Sequence, residues 1–274
     1  MYEIDFSVPG WLVAYYRTIG PISAVLNALG IYLVLFQSGK LGNFRYFLLN
    51  YQIATALVDV HLTFLMQPIP LYPLLAGYTA GVLEKCFGVT CHTSTSIFFF
   101  LAVVQYESLT LCFLRKHQSI AMILQKHVLP MAAQIPFNIA YAVCPILSTG
   151  WYYSSHIKFL PNFRALPHFD IYKTDESMTV LIILTFLGGV ALLAVFLVCI
   201  VDILRLMTLL KVRLSPVTFQ KHEDAVRSLM VQFATTVTCL FPPILFCFNI
   251  IFPIQVAKTD DSRIHAVLNF DVPD

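Results

Sequence analysis

Six apolar stretches, each of about 20 residues or more and parted by short segments that hold nearly all the charge, constrain this chain more than any other feature. A helix rises about 1.5 Å per residue, so about 20 apolar residues cross a hydrocarbon layer about 30 Å thick. Backbone groups in that layer must satisfy one another, and runs of this length do so as helices. The expected fold is therefore all-α, a polytopic transmembrane helical bundle with spans at residues 19–37, 46–71, 93–114, 128–147, 179–201 and 229–252. Charged residues make up 12% of the chain against about 25% in soluble proteins, and 58% are hydrophobic. A water-soluble fold could not bury so much apolar surface. The chain divides into a leader at 1–18, a six-helix bundle at 19–252 and a polar tail at 253–274, all one membrane-embedded domain.

Orientation follows from the position of the basic residues rather than from their sum. Residues 38–45, 115–127 and 202–228 carry ten Lys or Arg, whereas the leader, the other loops and the tail carry seven over a far longer stretch. The positive-inside rule puts the three basic loops in the cytosol and the amino terminus outside. The leader has neither a basic n-region nor a small-residue cleavage site, which predicts a retained first span and not a cleaved signal peptide. No lipidation or retention motif diverts the chain from the plasma membrane. The tail carries Lys258, Asp260, Asp261, Arg263, Asp271 and Asp274, which exclude a seventh apolar span there and put its end outside. The segment 148–178 is rich in aromatic residues and is expected to lie over the outer mouth of the bundle or at the interface.

Ionisable residues inside such spans mark candidate functional positions, because each is costly there without a partner or water. Asp59 and His61 lie deep in the second span, two positions apart and so about 200° apart around a helix. Neither can serve as the other's partner, and Asp59 shares its face with Gln52. A buried packing cluster, a ligand or ion contact, and a place near the interface are all open to them. Glu107 sits about two turns before Arg115-Lys116-His117 in the third span. It either holds a basic group of a neighbouring helix end in one conformation and releases it in another, or makes a static hydrogen bond to the fourth or fifth helix. Pro242-Pro243 interrupts the backbone ladder of the sixth span, which makes it a hinge candidate. Cys112, Cys144, Cys199, Cys239 and Cys247 read as packing residues. Cys86 and Cys91, in the loop before the third span, are spaced for a local disulfide if that loop faces an oxidising space.

Several function classes are excluded. His92, His117, His127, His156, His168 and His222 form no HxxxH or HExxH spacing, and no CxxC is present, so no metal or other cofactor is called for. No nucleophile-elbow, P-loop or dinucleotide fingerprint appears, which argues against an enzyme. No basic run suggests a nucleic-acid partner. A transporter would show two similar halves, and the proline-rich second span has no counterpart three spans later.

Specific stretches resemble a known family. Pro9-Gly10-Trp11-Leu12-Val13, Tyr15-Tyr16-Arg17, Leu26-Asn27-Ala28-Leu29-Gly30-Ile31-Tyr32-Leu33 and Asn43-Phe44-Arg45-Tyr46-Phe47-Leu48-Leu49 are similar to the opening of the nematode serpentine chemoreceptors, the class I group within the class H and class Str superfamily. The block from Asp59 to Leu71, followed by Ala76-Gly77-Tyr78-Thr79-Ala80-Gly81, and the exit Cys112-Phe113-Leu114-Arg115-Lys116-His117-Gln118 resemble the same class. The resemblance implies a seven-helix receptor in the plasma membrane of chemosensory neurons. Such a receptor serves olfaction by detecting a small molecule and signalling through a heterotrimeric G protein. This chain departs from the pattern in showing six spans, and in carrying Leu114-Arg115-Lys116 where rhodopsin-like receptors have Asp-Arg-Tyr.

Under this reading Gln67, Phe99, Tyr141 and Trp151 contact the ligand. Asp59, His61, Glu107, Pro242 and Pro243 form the conformational switch, and Arg115, Lys116, Lys211 and Arg213 present the G-protein face. The partners are the lipid bilayer, the ligand, the G protein and a receptor oligomer. The alternatives are a truncated, non-signalling product that pairs with full-length receptors, and a small transporter or channel.

Overall fold

The computed structural model describes residues 10–37, 42–70, 76–154, 170–171 and 176–251. Among them are six long helices and one short one: α1 (Gly10–Tyr32), α2 (Phe44–Val60), α3 (Val82–Phe87), α4 (Cys91–Leu124), α5 (Met131–Ser154), α6 (Glu176–Arg213) and α7 (Pro216–Ile251). Wider π-helical turns at Leu33–Gln37 and His61–Met66 prolong α1 and α2. The all-helical expectation holds, and Gly10–Gln37, Phe44–Met66, Cys91–Leu124 and Ile183–Arg213 are each long and apolar enough to cross a membrane. The helices outrun the apolar stretches that predicted them. α1 begins at Gly10, inside the predicted leader, and α4 continues to Leu124, well past 114. With 34 residues α4 is about 50 Å long, so its ends project from a hydrocarbon core about 30 Å thick and carry polar side chains into the interface.

α4 is the central helix, packed against α2, α5, α6 and α7. Leu109, Cys112, Phe113 and Ile120 of α4 meet Phe196, Ile203, Leu206 and Leu210 of α6 and Leu229 of α7 in the apolar core. Phe113, Phe196 and Phe233 close it with ring centroids 5.1 to 6.0 Å apart. α6 presents Leu184, Leu187, Val190 and Leu197 away from the core, the pattern expected where hydrocarbon replaces water as solvent.

α1 approaches α2 and its π-helical extension closely because it presents glycine to the large side chains there. A Cβ on Gly30 would stand 2.9 Å from Gln52 Nε2, and one on Gly20 2.9 Å from the Phe64 ring.

A three-stranded antiparallel sheet caps the end where α2 finishes. Its strands β1 (Pro68–Pro70), β2 (Ala76–Thr79) and β3 (Asp170–Ile171) lie in that order, with Pro68 opposite Thr79 and Gly77 opposite both Pro70 and Asp170. Proline is tolerated in β1 because an edge strand can spare the N–H that proline lacks. β3 belongs to the aromatic segment 148–178 and ties its later part to the cap. Gly81 follows β2 and is pressed so tightly on the end of α2 that a Cβ there would collide with the Leu65 carbonyl oxygen. Only glycine fits that approach.

Candidate functional site

α2 is the polar spine of the bundle. Its consecutive residues Asn50, Tyr51 and Gln52 lie about 100° apart and so reach different helices. The Asn50 amide donates to Ser108 Oγ at 2.9 Å and to the Tyr141 hydroxyl at 2.8 Å, which joins α2 to α4 and α5. The Tyr51 hydroxyl lies 3.0 Å from Thr236 Oγ1 of α7. Thr236 gives its own proton to the Gln232 carbonyl, so Tyr51 is the donor in that pair. Gln52 donates to Asn27 Oδ1 of α1 at 3.0 Å.

Asp59 completes the α1 contact. Its Oδ2 accepts from the Ser23 hydroxyl at 2.6 Å and from the Asn27 amide at 2.7 Å. Asp59 and His61 do face different partners, as their angular separation requires. The His61 ring is fully buried and its Nε2 lies 2.9 Å from the Ser94 carbonyl of α4. Ser23 and Asn27 escaped the sequence reading. Their spacing of four places both on one face of α1, and that spacing is the available signal.

Beyond His61 the end of α2 opens into a cavity of about 400 Å³ under the β-cap. Gln67 leaves the helix in the left-handed conformation, with φ of 47°. Its amide donates to the Thr63 carbonyl at 2.8 Å, and its own carbonyl accepts from the Ala80 N–H at 3.2 Å. Phe64, Tyr78, Thr79 and Glu84 line the same space, with Arg17 of α1 and Lys85 of α3 beside them. The Tyr16 hydroxyl reaches the Pro68 carbonyl at 2.9 Å and pins α1 to the cap.

The other three expected ligand contacts lie elsewhere. Phe99 stacks on Tyr152 at 5.6 Å, and Tyr152 stacks in turn on His92 at 5.2 Å, which makes an aromatic seam between α4 and α5. Tyr141 is engaged by Asn50 in an exposed hydrogen bond between α5 and α2. Trp151 points outward, and its neighbour Tyr152 takes the buried place.

Cys86 and Cys91 are not bridged. Cys86 is exposed on α3, whereas Cys91 is buried at the start of α4 with its sulfur 4.0 Å from Thr95 Oγ1. Gly88, with φ of 63°, ends α3 between them and lets the chain turn into a separate helix, so the two thiols face different surroundings.

Glu107 lies against the Cys144 thiol of α5, not against a basic helix end, and its Oε2 is buried without a hydrogen-bond partner among the described residues. α7 runs unbroken through Pro242 and Pro243.

The opposite end of the bundle holds a second polar cluster. His117 of α4 donates to Asp202 Oδ2 of α6 at 2.6 Å, and His127, just before α5, lies 3.1 Å from the same carboxylate. Gln118 settles which His117 nitrogen carries the proton. Its Oε1 accepts from the Leu129 N–H at 2.9 Å, so its amide nitrogen faces His117 Nδ1 at 3.0 Å as a donor. Nδ1 is therefore an acceptor, and the proton on Nε2 points at Asp202. Asp202 stands at the border of an apolar stretch and reads in sequence as the first residue of a loop. Only the extension of α6 reveals it as an interhelical partner.

The basic residues of this end divide into two kinds. Arg115 donates to Gln134 and Asn138 of α5 at 3.4 and 3.3 Å and lies over the Phe47 ring. Lys116 is buried, 5.4 Å from the Phe44 ring centroid and 3.3 Å from His222 Nδ1 of α7. Burial, with the Lys116 charge beside it, holds the His222 imidazole below its ordinary value of 6.5. Lys211 and Arg213, by contrast, are exposed at the end of α6. No group of three metal-ligating side chains is present among the described residues.

The profile of the family described as serpentine type 7TM GPCR chemoreceptor Sri matches residues 2–269, nearly the whole chain. The chain belongs to that family. It is thus a multi-pass membrane chemoreceptor of the nematode serpentine kind and not an enzyme. No curated protein matches it. Within this Sri receptor the polar spine, the cavity and the histidine–aspartate cluster are places where the geometry of the described residues departs from plain apolar packing. Its leader before residue 10 and its tail at 253–274 fall outside the described residues.

Proposed function

We propose that this Sri receptor sits in the plasma membrane of a sensory cell with its amino terminus outside. It receives a small molecule in the cavity beneath the β-cap and signals from the opposite end through a heterotrimeric G protein. The observation that carries this reading is the placement of the two sites on one pair of helices. The cavity takes its floor from the end of α2, and the His117–Asp202–His127 clasp holds the end of α4, with the polar spine between them.

A charge-assisted clasp across α4 and α6 does the work of the Asp-Arg-Tyr triad that this chain lacks. Closed, it keeps the inner ends of α4, α5 and α6 together; open, it frees the surface beside Lys211 and Arg213 for the G protein. Arg115 and Lys116 act within the bundle and hold α4 to α2, α5 and α7. Ligand contact in this reading centres on Gln67, while Asp59 and His61 transmit between helices.

The test combines topology with signalling. Tags on both termini are probed in intact and permeabilised cells, and a G-protein reporter is read during exposure to a panel of volatile and water-soluble compounds. The expected result is an amino-terminal tag reached from outside, together with a response that Lys211→Ala/Arg213→Ala lowers without loss of surface expression. An amino terminus reached only after permeabilisation would overturn the orientation, and a response indifferent to those two cations would overturn the proposed coupling surface.

A further inference from the structure

We infer that the cavity beneath the β-cap selects small amphipathic carboxylates, with an apolar body against Phe64 and Tyr78 and the carboxylate at Arg17 and Lys85. This rests on the receptor reading for where the ligand binds and adds which chemistry is bound. Three charged side chains line the cavity, and they are not equivalent. Glu84 is half-buried and its Oε2 already accepts from the Thr79 hydroxyl at 3.3 Å. The side chains of Arg17 and Lys85 make no hydrogen bond or ion pair among the described residues. Two unmatched cations against one engaged carboxylate leave the space net positive. Both cations are exposed at the rim of the space, where they attract an anion and disfavour an ammonium group.

The rest of the lining defines the remainder of the ligand. Phe64 and Tyr78 supply aromatic surface, and Gln67 has one amide N–H committed to the Thr63 carbonyl and its side-chain oxygen still available. At about 400 Å³ the space is at the lower end of small-molecule pockets, which run from about 300 to 1,000 Å³. Arginine and lysine come from different elements, α1 and α3, so a bound carboxylate also joins the first helix to the cap. Tyr16, one residue before Arg17, is already fixed to Pro68 there, so the anion adds to an existing contact.

The same cations could meet a carboxylate-bearing lipid headgroup, and the experiment separates the two sources. The full chain is purified in phosphatidylcholine nanodiscs, and binding of butanoate, hexanoate and octanoate is measured against the matching alcohols and amines. At least one acid is expected to bind saturably and at least about 10-fold more tightly than its alcohol, a difference of about 1.4 kcal/mol. Arg17→Gln or Lys85→Gln should weaken acid binding several-fold and leave the alcohol unchanged. Glu84→Gln should strengthen it, and this opposite sign keeps the test informative if either cation variant folds poorly.

Equal binding of acid and alcohol, no saturable binding of any of the three acids, or indifference to all three substitutions would overturn the assignment. Loss of acid binding when phosphatidylserine is added to the discs would overturn it in favour of a lipid site. Acid binding without any reporter signal would refute the receptor mechanism and leave the site standing. A signal from a neutral compound that survives Arg17→Gln/Lys85→Gln would do the reverse.

Discussion

Replacing Asp202 with Ala should raise basal signalling, and the size of the effect follows from the geometry of the clasp. Two hydrogen bonds are lost. The one from His117 spans 2.6 Å between side chains that are 10% and 22% exposed, so it is a charge-assisted bond in a largely water-excluded place, worth about 1.5–3 kcal/mol. The one from His127 involves a side chain that is 64% exposed and adds at most a few tenths of a kcal/mol. If the clasp exists only in the resting state, its removal shifts the equilibrium toward the active state by about 10- to 150-fold. A receptor that is about 1% active at rest then becomes about 10–60% active without ligand. The assay is ligand-independent reporter signal divided by surface expression from an extracellular tag. His117→Ala should reproduce most of the effect and His127→Ala little of it, because their bonds differ in burial. Unchanged basal signal at normal surface expression would refute the clasp as a resting-state restraint. Equal effects of the two histidine variants would refute the burial argument used to rank them.

Two further outcomes follow from the same contacts. Asp59→Ala strips the acceptor from Ser23 and Asn27 and should cost about 1–3 kcal/mol, read as a lowered melting temperature of the detergent-solubilised receptor. A double-mutant cycle with Asn27→Ala should recover part of that loss as coupling, and strict additivity would refute a direct contact. Because burial and the Lys116 charge lower the His222 value below 6.5, the folded receptor binds fewer protons there than the unfolded chain at pH between the lowered value and about 6.5. The stability contributed by neutral His222 is therefore complete above about pH 6.5 and is lost as the pH falls through the lowered value. Melting temperatures at pH 7.5 and 5.5 should differ less in His222→Gln than in the native chain, and identical pH dependence in both would contradict the buried contact with Lys116.

The apolar stretches by themselves determined that the chain is a helical membrane bundle, because only internally bonded helices of that length suit hydrocarbon. Helical periodicity also established that Asp59 and His61 look in different directions. The quoted blocks pointed to the serpentine chemoreceptors, and the family match agrees. The helix ends were less legible, since α4 and α6 continue beyond the apolar run that signals them and nothing in hydropathy marks where a projecting polar helix stops. The tertiary structure alone decided the partners. His117 and Asp202 are 85 residues apart, Lys116 and His222 106, and Tyr51 and Thr236 185. Periodicity says which side of a helix a residue occupies, but which helix lies on that side depends on the packing of every segment at once. For the same reason Gln67 and Tyr141, both read as ligand contacts, part company, one into the cavity under the cap and the other into hydrogen bonds with Asn50 and Ser108.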